Sequence, residues 1–272
     1  VRGATVPVGV TDRKDFKGAE SREEGGGKMK ASYCTDCGVP RRIAVKHRWR
    51  DDGVLESRLG GARGVLIERD AFAGMLDRIA KAIGIPIDHI IIDAKRRDAK
   101  LYVDDVVSGP LGAVIRLRPF RVLGYMVMIR QAATIGLARA ELLRYLPGKR
   151  FIGRADPVYH PILFTGDICG AFESLERRRA RPAYGRVGNA LYCELHVDDS
   201  LLAEGRLELE KTAEVPANAS YQRCGKCGVP RGIDNFRWDL SQRKIIDKTT
   251  GEWVIYIDVE SVNAILRELE RK

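Results

Sequence analysis

Apolar residues recur in the same order near both ends of the chain. Near the start, short apolar stretches at Ile43 to Trp49, Val54-Leu55 and Val65-Leu66-Ile67 precede Phe72, Met75, Leu76 and Ile79. Those four sit at i, i+3, i+4 and i+7, the spacing that lines one face of a helix. Near the end, Ile233 to Trp238, Ile245-Ile246 and Val254 to Ile257 precede Val262, Ile265, Leu266 and Leu269 at the same spacing. The four helix positions, Ile67 with Ile257, and the turn glycines Gly61 and Gly251 all correspond at a constant offset of 190 residues. Each end therefore predicts two or three short strands followed by an amphipathic helix. A unit of roughly 45 residues seldom carries a sufficient core alone, so the two copies are expected to pack together or to be stapled by metal.

Between them the pattern changes. His89-Ile90-Ile91-Ile92 and Lys95 to Val107 predict a helix, with a strand competing at its start. Pro119 suits the first turn of a long helix whose stripe is Val122, Tyr125, Met126, Ile129, Ala133, Gly136, Leu137, Ala140 and Leu143. Leu123, Val127, Met128, Ile135 and Leu142 lie off that stripe, and a helix apolar on most sides is expected to be buried. Arg130, Gln131 and Arg139 argue against a membrane span. Lys149 to Ala155 predicts a strand, and Ile162 to Arg178 a helix with Ile168, Ala171, Phe172 and Leu175 inward. Leu191, Cys193, Leu195 and Val197 alternate with Tyr192, Glu194 and His196, the period of a half-buried strand. A turn at Asp198-Asp199-Ser200 leads to an expected partner strand at 206–211. The expected fold class is α+β: two homologous knuckle, short-strand and helix repeats, packed together, flank a mixed α/β middle with a long buried helix. The divisions fall at 31–84, 85–215 and 216–272. Residues 1–30, polar and glycine-rich, are expected to be a disordered tail.

Each terminal copy opens on cysteines. Cys34-Thr35-Asp36-Cys37-Gly38-Val39-Pro40-Arg41-Arg42-Ile43 and Cys224-Gly225-Lys226-Cys227-Gly228-Val229-Pro230-Arg231-Gly232-Ile233 agree at seven of ten positions. A Cys-x-x-Cys pair followed by glycine brings two thiolates to one point and lets the next N–H groups turn toward sulfur. Two pairs supply the four sulfurs of a closed tetrahedral site. Three arrangements compete: one ion shared by Cys34, Cys37, Cys224 and Cys227, one ion per copy, or redox dithiols. His47 would be the third ligand of the first copy, but the matching position is Arg237, and the second copy holds no histidine or further cysteine. The shared site is therefore favoured. Gly-Val-Pro directly after each pair disfavours the helix N-terminus that a redox cysteine needs. Iron–sulfur ligation by the same four thiolates stays open beside zinc.

On these residues the two ends resemble zinc-ribbon and related four-cysteine zinc-knuckle modules. The resemblance rests on Cys34, Cys37 and Gly38, on Cys224, Cys227 and Gly228, and on the strands that follow; it does not reach the middle. Ribbon modules place their knuckles tens of residues apart, so the resemblance points to two halves joined across an insertion. It implies structural zinc, often in proteins that touch nucleic acid or other proteins.

Charge adds a partner class. The chain carries a net charge of +10 with pI ≈ 9.4 over 272 residues, which favours nucleic acid as partner. Nine Lys or Arg and one acid, Glu141, lie between Arg116 and Arg154, and Arg177, Arg178, Arg179 and Arg181 form a second cluster. These do not keep one helix face, so solvated arginines and internal ion pairs are the leading account of them. Six cysteines in a chain this long, without a signal pattern at the start, indicate reducing, cytoplasmic surroundings rather than a disulfide scaffold. Cys169 and Cys193 read as buried free thiols, and His89, His160 and His196 as structural. No nucleotide-loop or nucleophile-elbow motif is present. The expected function is a non-catalytic zinc-binding protein with a binding or regulatory role. The alternative is a sensor or binding domain for a hydrophobic small molecule; an enzyme using the thiols is a third class.

Overall fold

The computed structural model describes residues 33–50, 54–58, 61–201 and 221–270. The expected tail at 1–30 and the strand at 206–211 lie outside them. The fold is α+β.

The first end consists of α1 (Arg41–Lys46), β1 (His47–Trp49), β2 (Leu55–Ser57), β3 (Arg63–Glu68) and α2 (Arg69–Ile83). Gly84, at φ 73, ends α2 with its N–H on the Ala80 carbonyl, a left-handed cap that glycine adopts without strain. The middle continues with α3 (Asp88–Val106), α4 (Pro110–Ile115), α5 (Arg121–Thr134), β4 (Ala138–Leu146), β5 (Arg150–Val158), α6 (Pro161–Glu176), β6 (Ala180–Val187) and β7 (Ala190–Val197). The other end has β8 (Phe236–Asp239), β9 (Lys244–Asp247), β10 (Trp253–Asp258) and α7 (Val259–Glu270).

The strands of both ends form one six-stranded antiparallel sheet in the order β1-β2-β3-β10-β9-β8. Its central pairing sets Glu68 opposite Val254, Ile67 opposite Ile255, Leu66 opposite Tyr256, Val65 opposite Ile257 and Gly64 opposite Asp258. A shift of 190 residues carries this register onto itself, with Leu66 and Tyr256 at its centre. The apolar, largely β-branched runs at 65–67 and 254–257 are suited to central strands. The helices cross over: α2 contacts β10 as well as β3, and α7 contacts β3 as well as β10. Phe72, Leu76, Ile255, Ile257, Ile265 and Leu269 share one apolar cluster, which the middle joins through Ile90, Ile91 and Leu163.

The middle is built on α3 against α6. Gly166 and Gly170, one turn apart on α6, press onto the α3 backbone. A Cβ on Gly170 would stand 2.2 Å from the Arg96 carbonyl oxygen, and one on Gly166 would stand 2.9 Å from that of Ile92. An antiparallel sheet in the order β4-β5-β7-β6 packs on α6, filled by Phe151, Phe172, Leu175, Cys169, Cys193 and Leu195. The alternation expected at 191–197 is that of β7, and α3 is a helix throughout. Phe172 and Leu175 are fully buried, whereas Ile168 and Ala171 are only partly so.

The long buried helix expected from Pro119 onward is corrected on two counts. It stops at Thr134, because the next carbonyls are taken by the other sheet: Tyr256 N–H donates to Ile135 O at 3.1 Å, and Trp253 Nε1 donates to Gly136 O at 2.9 Å. Gly136 turns the chain at φ 79, and the residues assigned to the helix's second half form β4. Nor is α5 buried on all sides, since Val122, Leu123, Met126 and Val127 are exposed. The central buried helices are α3 and α6.

Candidate metal centre

Each cysteine pair sits in a tight turn closed by the backbone. Cys34 N–H donates to Val39 O at 2.8 Å and Gly38 N–H to Cys34 O at 2.9 Å. In the other turn, Cys224 N–H donates to Val229 O and Gly228 N–H to Cys224 O, both at 2.8 Å. Gly38 and Gly228 both stand at φ 72, a conformation that costs a side-chain-bearing residue about 1–2 kcal/mol. Val39 and Val229 are fully buried behind the turns, and Pro40 and Pro230 leave them in extended conformation, bridged to Tyr33 and Arg223. The sequence thus builds the same turn twice.

The fold brings both turns to one place. The Sγ atoms of Cys34, Cys37, Cys224 and Cys227 all lie within 4.8 Å of one another. Cys34 meets Cys224 at 3.7 Å and Cys37 meets Cys227 at 3.3 Å, so each thiol faces the residue 190 positions away. Ile43, Ile233, Trp238 and Val254 pack around them. Lys226 clamps the turns from outside, reaching Asp36 and Thr35 at 2.8 Å each.

These four residues could bind a metal ion. A four-sulfur tetrahedron with metal–sulfur bonds near 2.3 Å has edges of about 3.8 Å, close to the 3.7 Å between Cys34 and Cys224 and inside the 4.8 Å that encloses all four sulfurs. Four soft donors without a carboxylate suit zinc or iron and not magnesium or calcium. The N–H groups of Cys37 and Asp36 pull the Cys34 thiol down to about 6, whereas burial pushes Cys37 and Cys227 up. If all four bind as thiolates, a cation would offset their mutual repulsion.

His47 is not part of the cluster. Its Nδ1 is 3.0 Å from Ile43 O, and its ring stands edge-on to Tyr256 at 4.9 Å. Burial lowers its pKa and keeps it neutral. Arg237, at the corresponding position, pairs with Asp239. Cys169 and Cys193 are buried on α6 and β7, away from the four; burial raises both thiols, Cys193 to about 12.

Two further groupings escaped the sequence reading. Lys95, buried on α3, donates to Asp98 at 2.8 Å and Ser261 at 2.7 Å and lies 3.3 Å from Asp167, whose other oxygen accepts from Tyr159 at 3.0 Å. The only signal was that Lys95 and Asp98 continue the face of Ile91 and Ala94, where apolar residues belong. The second is a cavity of about 350 Å³ between α2, α3 and α6, lined by Leu76, Ile87, Ile91, His160, Ile162 and Tyr184. His160 caps α6, its Nδ1 accepting from Leu163 N–H at 3.4 Å.

The arginine clusters are partly paired with carboxylates of the same chain. Arg178 and Arg181 pair with Asp199 and Asp198, Arg179 with Glu173, Arg121 with Glu176 and Arg116 with Asp104. Among the described residues no helix is long and apolar enough to cross a membrane. Comparison of the chain with protein-family models, with curated proteins and with solved structures yields no match.

Proposed function

We propose that the two ends are copies of one unit, clasped by a single zinc ion on Cys34, Cys37, Cys224 and Cys227 in a non-catalytic binding or regulatory protein. The observation that carries this reading is that every thiol meets its own counterpart at the offset that also governs the β3–β10 register. Neither turn has a complete ligand set of its own, so each half needs the other. When bound, the ion supplies charge neutralisation and a cross-link; the chain's residues supply the turns, the apolar surround and the Lys226–Asp36 clamp. Metal analysis is expected to give one zinc per chain, lost in Cys227→Ser. Two ions per chain, or intense visible absorption from iron, would overturn it.

Nucleic acid is the partner class this reading favours. Support comes from the net charge of +10 and from Arg41, Arg42 and Arg231, which are exposed beside the two turns. Binding is expected to weaken steeply with salt, and replacing these three arginines by glutamine to reduce that slope by about one per lost phosphate contact. A flat salt dependence would count nucleic acid out. The second reading, a hydrophobic small-molecule site, has the cavity beside Ile87 and Ile162 in its favour, whose size lies at the lower end of ligand pockets. A co-purified apolar molecule displaced by Ile162→Trp would support it.

A further inference from the structure

The outward face of α5 has no packing partner among the described residues, and it gathers more of their exposed large hydrophobic side chains than any other element does. Leu117 is 55% exposed and Phe120 41%, in the turn before α5; on the helix Leu123 is 53%, Met126 39%, Val127 39% and Val122 37%. The opposite face is fixed to the core. A Cβ on Gly124 would meet Ile115 at 2.8 Å and Leu175 at 3.0 Å, and buried Tyr125 donates to Glu176 at 3.1 Å. The helix therefore cannot roll to hide these side chains. Contiguous apolar exposure rimmed by polar groups marks a protein or membrane contact.

Charge decides between occupants. From Val106 to Ala140 the chain has five arginines and no Asp, Glu or Lys. Arg116 and Arg121 turn inward to Asp104 and Glu176, while Arg118 and Arg130 are exposed beside the apolar side chains. A second copy on this face would oppose arginine with arginine, with no carboxylate in the stretch to relieve it. Nucleic acid would satisfy the arginines but give Leu123, Met126 and Val127 nothing apolar to bury against. A surface carrying phosphates over hydrocarbon satisfies both, since guanidinium pairs with phosphate while apolar side chains enter the acyl boundary.

We infer that the α5 face, with the turn carrying Leu117 and Phe120, docks on an anionic lipid bilayer. This contact is separate from the metal centre and does not depend on it. The test is co-sedimentation of the full chain with vesicles of phosphatidylcholine containing about a third phosphatidylglycerol, against pure phosphatidylcholine. Binding is expected on the anionic vesicles only, weakening with salt. Arg118→Gln and Arg130→Gln are each expected to lower affinity about fivefold, the factor for one basic residue at such a surface. Leu123→Glu with Met126→Glu, both exposed and so compatible with folding, should abolish it while circular dichroism stays unchanged. The inference is overturned by any of three results. These are no retention on anionic vesicles at low salt, retention unaffected by the glutamate pair, or a dimer in sedimentation velocity that the glutamate pair dissolves. Displacement of bound duplex DNA by the same glutamate pair, with no vesicle binding, would assign the face to nucleic acid instead.

Discussion

At the scale of single residues, close contact and backbone angle separate glycines that look alike in the sequence. Gly170 lies on the α3 backbone, and Gly64 lies under the Tyr256 ring, where a Cβ would stand 2.1 Å from ring atoms. Gly170→Ala and Gly64→Ala are each expected to cost about 1–3 kcal/mol or more in urea unfolding, because the obstacle is backbone in one case and a packed ring in the other. Gly38 has nothing within 4 Å of its missing Cβ, so Gly38→Ala pays only for its positive φ, about 1–2 kcal/mol. Losses well below about 1 kcal/mol at Gly170 or Gly64 would contradict this account. The thiols divide similarly. Cys169 and Cys193, buried and with raised pKa, are expected to resist a thiol reagent until the chain unfolds. If the proposed zinc is bound, the four clustered thiols are expected to react only once a chelator is added.

At the scale of elements, α3, α6 and α7 meet over a buried charge cluster as well as apolar surface. Burial pulls the Lys95 pKa down, but Asp167, Asp98 and Asp258 outweigh it and hold the ammonium charged. Burial, then Asp98, raises the Asp258 carboxyl from 3.8 to about 7, and burial raises Asp167. Between those two values the folded state binds more protons at Asp258 than the unfolded state does, so stability falls as pH rises from about 4 to about 7. Asp258→Asn is expected to flatten that fall, by on the order of 2 kcal/mol, in unfolding curves across the window. A window unchanged in the variant would remove Asp258 from the account. Lys95→Ala leaves the carboxylates without their cation and is expected to cost about 3–5 kcal/mol at pH 7.

Helix α5 and strand β4 mark where element reading fails. Val122 to Leu143 fits a helical stripe, and Ala138, Ala140 and Leu142 fit strand alternation equally well. Periodicity cannot choose between them, because the choice is made by hydrogen bonds from Tyr256 and Trp253, more than a hundred residues away. Strand β6 was hidden for a related reason. Its start lies in an arginine cluster that reads as solvated charge, yet Arg179 and Arg181 are held by Glu173 and Asp198.

At the scale of the whole molecule, the chain's two ends share one sheet and one cysteine cluster. If the clasp is as proposed, a chain cut by a protease site engineered between residues 201 and 221 should stay associated under native conditions. Its halves are expected to separate at lower urea concentration after chelation than with zinc bound. Cys34→Ser and Cys224→Ser are expected to weaken zinc binding by similar factors, since they occupy matching places. Prompt separation of the cut halves at neutral pH with metal present would refute the clasp.

The sequence alone determined what is local: the turn chemistry of Cys34 to Pro40 and Cys224 to Pro230, the apolar faces of α2 and α7, and the alternation of β7. These follow from short-range rules of backbone angle and side-chain spacing, and the 190-residue correspondence made them legible twice. Tertiary structure decided what is not local. It set thiol against thiol across that offset, ended α5 at Thr134 with donors from β10, and gathered Lys95 with carboxylates from α3, α6 and β10. It also left the outward face of α5 exposed, although an apolar helix reads as buried. Each depends on which surfaces meet in three dimensions. Hydrophobic spacing states that a face will be covered, and leaves open by what.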